Sequence, residues 1–133
     1  MKRVAVRNIS RADIDLGSRV VLANTVWTRL KGLLGAPPLQ PGEGMLLEPC
    51  QAVHMYGMKQ PLDVAFLGRE GQIIALYHDL RPGQRSKYHG KARQALELPV
   101  GTLSETGTCV GDLLHVQLVS DDRQSSDGEN DDR

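Results

Sequence analysis

GMLLEPCQAVHMYGMKQPLDVAFL, residues 44–67, holds one of the two cysteines, one of the four histidines and three of the four methionines of a 133-residue chain. Pro49 and Gly57 interrupt any helix across it, and its branched and aromatic residues suit extended backbone. Alternation then puts Cys50, Ala52, His54, Tyr56 and Met58 on one face, with Gln51, Val53, Met55 and Gly57 on the other. Leu62–Leu67 follows as an apolar strand broken only by Asp63. An extended stretch that runs through a proline turn into a strand apolar on both faces is the mark of a mainly β domain with a covered sheet.

Cys50, His54 and Met58 are a thiol, an imidazole and a thioether on one face, which makes them candidate soft-metal ligands. Fully extended, Cys50 and Met58 lie roughly 26 Å apart, so one ion reaches both only if the chain doubles back near Gly57. The alternative is an ordinary packed cluster, since Cys and Met are common core residues.

Working outward toward the N-terminus, Pro and Gly punctuate APPLQPGEG (residues 36–44), and Met45–Leu47 opens a strand. Before that loop, Trp27, Leu30 and Leu34 recur at helical spacing behind an Asn24 or Thr25 cap, which predicts a short amphipathic helix over 25–34. Gly35 and Pro37-Pro38 end it. Val4–Ile9 and Arg19–Ala23 read as two strands joined by a turn around Gly17-Ser18.

Toward the C-terminus, GREG links Leu62–Leu67 to Gln72–Tyr77 as a hairpin. A polar loop from His78 to Arg93 follows, with Arg81, Arg85, Lys87, Lys91 and Arg93 inside thirteen residues and His78 and His89 among them. Ala95–Leu98 is a strand, residues 100–108 a helical turn, and Leu113–Val119 a last strand whose alternation leaves His115 on the wet face. No repeat is present. The pattern predicts a single-domain antiparallel β barrel or sandwich over 1–119, carrying one or two short helices.

Residues 120–133 carry six acids and two bases, a net of −4, and no apolar side chain, so they are expected to form a disordered acidic tail. The rest carries +4 in a chain whose net charge is zero. That balance, with one Trp, one Phe and three Tyr, gives no specific nucleic-acid signal. Two cysteines 59 positions apart form neither CxxC spacing nor a disulfide framework. The N-terminus lacks a signal-peptide apolar segment, and no run suits a membrane span. A soluble, cytoplasmic protein is expected.

Several motifs recur together in this order. They are R-x-x-G-L-L at Arg29, Gly32, Leu33 and Leu34; G-x-G-M-L at Gly42–Leu46; and H-x-x-x-M-x-x-P-L-D from His54 to Asp63. Phe66-Leu67 and Gly71 follow, then A-L-E-L at Ala95–Leu98 ahead of Gly101, and Gly111-Asp112. The ordered set, from about Ser18 to Val119, resembles the family catalogued as domain of unknown function 192, or uncharacterised protein family 0127. Many members read F-W-M, with a longer spacing to the proline, where this chain reads Tyr56-Gly57-Met58. The resemblance implies a compact, mostly β fold with small helices. It implies no activity, cofactor or partner.

Asp63 opens a strand among apolar neighbours, so its carboxylate must find donors. It is either a structural acceptor of backbone N–H groups or the partner of His54 in an acid–base couple across the turn. Cys50 with His54 is a further nucleophile–base arrangement, with nothing nearby to activate the thiol. Glu97 is expected to form a surface ion pair with Arg29 or the basic loop. No P-loop, G-x-G-x-x-G, H-E-x-x-H or G-x-S-x-G motif is present, and no cofactor is implied. Two functions stay open. One is a binding module taking an anionic small molecule or an acidic protein surface through Met58, Arg81, Arg85 and Lys87. The other is an enzyme or metal-binding protein centred on His54 and Asp63.

Overall fold

A computed structural model describes residues 2–25 and 33–121. Most of the helix expected over 25–34, with Trp27 and Leu30, lies outside the described residues, as does the tail beyond Asp121. Among the described residues the protein is mainly β, with seven strands and one short helix: β1 (Lys2–Asn8), β2 (Ile14–Ala23), β3 (Glu43–Leu47), β4 (Leu62–Leu67), β5 (Ile73–Leu80), β6 (Gln94–Leu98), α1 (Thr102–Glu105) and β7 (Leu114–Asp121). They form one sheet in the order β5-β4-β6-β3-β2-β1-β7. All neighbouring pairs are antiparallel except β2 and β3. The β2–β3 exception follows from connectivity, since a long crossover rather than a tight turn joins the two strands.

The sheet is open but its edges meet at one end. Gln72 bridges Leu113, the Ile73 N–H donates to the Asp112 carbonyl at 2.8 Å, and the Leu114 N–H donates to the Gly71 carbonyl at 2.9 Å. Gly71 has φ +91°, and a β-carbon there would lie 2.5 Å from the Leu114 oxygen. Only glycine supplies both the left-handed turn and the close approach. Between β3 and β6 close approach alone demands glycine at Gly44, where a β-carbon would lie 2.7 Å from the Glu97 carbonyl oxygen.

Two apolar clusters sit on the two sides of the sheet, which is why β4 is buried at every position. The inner cluster gathers Val6, Val20, Leu46, Leu96 and Leu98 beneath Leu103 of α1. The outer cluster takes the alternate residues Met45, Val64, Phe66 and Ala95, and Val53, Met55 and Leu33 from the connecting segments cover it. At the inner end of β1, buried Asn8 donates to Thr108 Oγ1 at 3.1 Å and to Asp112 Oδ2 at 3.0 Å. Arg11 pairs with the same Asp112 carboxylate at 2.9 Å, and its hydrogen bond holds that carboxyl down at about 2.

The strands run longer than alternation alone implied. β2 begins at Ile14 rather than Arg19, because the 9–13 turn places Ala12 and Asp13 in left-handed conformations and returns the chain early. β7 continues to Asp121, where Arg3 faces Ser120 and Lys2 faces Asp121 across the ladder. Pairing with β1 therefore carries order two residues into the segment expected to be tail.

Candidate functional site

The stretch 50–58 is extended, yet it joins the basic loop rather than the main sheet. The Met55 N–H donates to the Gln84 carbonyl at 2.7 Å, the Ser86 N–H to the Val53 carbonyl at 2.9 Å, and the His89 N–H to the Gln51 carbonyl at 2.8 Å. Ser86 Oγ accepts from the Val53 N–H at 3.0 Å and donates to the Lys87 carbonyl at 2.8 Å. Turns at Gly57 and Gly83, both with positive φ, bring the two segments into antiparallel register. The expected alternation holds from Ala52 to Tyr56, but Cys50 and Met58, expected on the His54 face, pack instead against the outer cluster. Val53 and Met55 point into the outer cluster, while Ala52, His54 and Tyr56 face solvent.

His54 bridges Arg85 directly across this ladder, and opposite residues of an antiparallel pair share a face. Both are exposed, as is Lys87 beyond buried Ser86. The Tyr56 ring, 53% exposed, stacks on His54 with centroids 4.9 Å apart. Tyr88, 71% exposed, donates its hydroxyl proton to Gln51 Oε1 at 3.0 Å. The result is a ridge with cations and aromatic faces on a hydrogen-bonded backbone. Arg81 sits at its end with its guanidinium on Asp79 at 2.9 Å. Arg85 and Lys87 have no ion pair among the described residues.

The loop is pinned from below by residues the sequence did not single out. Tyr77 Oη accepts from the Lys87 N–H at 3.0 Å and lies 2.7 Å from His89 Nε2. The His89 ring packs 4.7 Å from that of Phe66. No spacing rule links Tyr77 to His89, because the contact exists only once the loop folds back over β4 and β5.

Asp63 is buried and fully used. Its Oδ1 accepts from the Asp79 N–H at 2.9 Å, and its Oδ2 accepts from the Gly101 and Leu103 N–H groups at 3.0 Å each. It thus caps α1 from β4 and fastens the bend of β5, where Asp79 has φ 57°. His54 is not among its partners; the imidazole Nδ1 accepts from the Tyr56 N–H at 3.3 Å. The structure therefore joins His54 to the basic loop and places Asp63 in a backbone bracket.

Cys50, half-buried, donates its thiol to the Ala52 carbonyl at 3.2 Å. Met58 lies beyond the Gly57 turn and lines a cavity of about 290 Å³ with Leu33, Leu39 and Leu62. Among the described residues no group of three or more His, Cys, Asp or Glu side chains gathers to hold a metal. His54 and Met58 belong to different surfaces, the ridge and the cavity.

Glu97 corrects an expectation. It is buried, 7% exposed, with no ion pair or hydrogen bond among the described residues. Its cross-strand neighbours are Met45 and Val64, and burial pushes its carboxyl up to about 7. Taken alone, the β6 sequence offers that carboxylate to solvent and to a cation such as Arg29 or one of the basic loop. Strands on both sides turn that position into core.

The sequence profile of the family DUF192, described as uncharacterized ACR, matches residues 8–116. A UPF0127 protein of Thermococcus sibiricus is 30% identical over 103 residues, covering 72% of this chain. The chain spans 64% of that relative's length. A crystal structure of a protein of unknown function from Novosphingobium aromaticivorans superposes with a TM-score of 0.72 at 24% identity, covering 85% of this chain and 83% of the other. A second, described as a "putative transcription regulator" from Sinorhizobium meliloti, gives 0.72 at 27% identity over 86% and 92%. No helix among the described residues is long and apolar enough to cross a membrane.

Proposed function

This chain belongs to the DUF192 family, and we propose that it works as a recognition module, binding an anionic ligand or the acidic surface of a partner protein through the His54–Arg85 ridge. One observation carries the reading. Arg85 and Lys87, unpaired among the described residues, share an exposed face with His54 and Tyr56 on a backbone held by the Met55, Ser86 and His89 amides. Free cations on a preorganised ladder lose little entropy on binding, and guanidinium groups accept carboxylates or phosphates in bidentate fashion. Exposed Tyr56 and Tyr88 add the rigid aromatic contact typical of interface anchors. Arg81, engaged with Asp79, contributes less than Arg85.

The test is titration with pyrophosphate and with a Glu-rich peptide at low and high salt, with duplex DNA as a control for the description carried by the Sinorhizobium relative. Arg85→Ala/Lys87→Ala should weaken anion binding at least about tenfold, and binding should fade as salt rises. Wild type and variant binding alike, or affinity unmoved by salt, would reject the ridge as the recognition surface.

A further inference from the structure

We propose that the groove between the 33–39 arm and the 57–60 turn is a second, separate site, which takes a medium-chain aliphatic carboxylate with Lys59 at its rim. The floor comes from the outer cluster, where Leu62 is 3% exposed and Met58 and Leu39 pack half-buried beside it. The arm rises above that floor, and its Leu34 is 47% exposed. Two glycines shape the walls. A β-carbon on Gly57 would lie 2.9 Å from Leu34 Cδ1, so the turn and the arm touch with no side chain between them. At Gly35 a β-carbon would meet nothing within 4 Å, so the wall opens there. The cavity, about 290 Å³, is at the small end of ligand-sized pockets. At interior packing density it holds a chain of about eight carbons.

The occupant follows from the chemistry of the walls. An open apolar groove with a few polar groups at one end is the general form of a small-molecule site. Among the described residues the lining carries no carboxylate and no aromatic ring. Its single charge is Lys59, exposed and with no ion pair or hydrogen bond among the described residues. Gln60 beside it adds an exposed amide that is likewise unengaged among them. A lysine carries its ammonium on a flexible apolar stem, so the charge can swing over the groove while the stem extends the wall. Ammonium and amide are both donors, and together they suit the two acceptor oxygens of one carboxylate. Leu, Met and Pro walls suit a flexible aliphatic chain below it, and the same lysine repels an amine of equal length. The site lies beyond the Gly57 turn from the His54–Arg85 ridge and shares none of its cations.

Titration of the full chain with butanoate, hexanoate, octanoate and octylamine, followed by methyl and amide NMR, tests the site. Octanoate should bind in the range of about 0.1–1 mM, shifting the Met58 and Leu62 resonances and leaving those of Ser86 and Lys87 in place. Affinity should rise about twofold to fourfold per methylene from butanoate to octanoate. Octanoate should bind at least about fivefold more tightly than octylamine at low salt, and that preference should shrink at high salt while the chain-length dependence stays. Lys59→Glu, at an exposed position that keeps the fold, should reverse the order of the two. Met58→Trp, which fills the groove and leaves Lys59 in place, should abolish binding. Arg85→Ala/Lys87→Ala should leave octanoate binding unchanged, so failure here is distinct from failure of the anionic ridge. No shift at Met58 with octanoate, affinity independent of chain length, an order unmoved by Lys59→Glu, or binding that survives Met58→Trp overturns the proposal.

Discussion

At Asp63 a single carboxylate holds three backbone N–H groups from two elements. Asp63→Ala leaves those donors buried without an acceptor, and each such group costs about 1–3 kcal/mol. Unfolding in urea should show a loss on the order of 3–5 kcal/mol once partial rehydration is allowed for. At Glu97 the sign reverses. Its carboxyl is raised from 4.5 to about 7 in the folded protein, so the folded state binds the proton more tightly than the unfolded one. Its contribution is fully present below pH 4.5 and is lost as pH rises through about 7. The loss is on the order of 3 kcal/mol. Glu97→Gln should flatten the stability profile between those pH values and make the protein more stable than wild type at pH 8. An unchanged slope in thermal unfolding against pH would mean the carboxyl is solvated.

At the scale of elements, the ridge depends on Ser86. Its hydroxyl is the acceptor for the Val53 N–H and a donor to the Lys87 carbonyl, so it replaces a ladder bond that the irregular pairing omits. Ser86→Ala should cost about 1–2 kcal/mol and speed hydrogen exchange at Val53 and Lys87 before the β4 amides. Equal exchange across the ladder and β4 would show that the two segments open only with the whole sheet. The hydroxyl adds two bonds to the backbone that carries Arg85 and Lys87, so the variant should bind anions more weakly with its charges intact.

For the molecule as a whole, the sheet meets its own edge at Gln72 and Leu113, and β1 carries β7 as far as Asp121. Removing residues 122–133, which have no apolar side chain, should change stability by no more than about 0.5 kcal/mol. Removing 120 and 121 as well deletes the ladder positions facing Arg3 and Lys2, and should cost measurably more. Equal midpoints for the two truncations would place the functional end of the domain before Ser120.

Period-2 patterning was local information and was enough to locate the strands, though not to fix where β2 begins or β7 ends. It showed β4 apolar on both faces and Val53 and Met55 opposite His54 and Tyr56, because burial on a sheet repeats along the chain itself. The ordered motifs around Arg29, His54-Met58 and Asp63 also placed the chain in its family before any contact was known. Three features were settled only by tertiary contact. The 50–58 stretch paired with the loop some thirty residues away, Asp63 took its donors from β5 and α1 instead of from His54, and Glu97 lost its water to Met45 and Val64 on neighbouring strands. Each depends on which strands become neighbours. A carboxylate's surroundings are set by residues distant in sequence, and nothing in the spacing of its own strand encodes them.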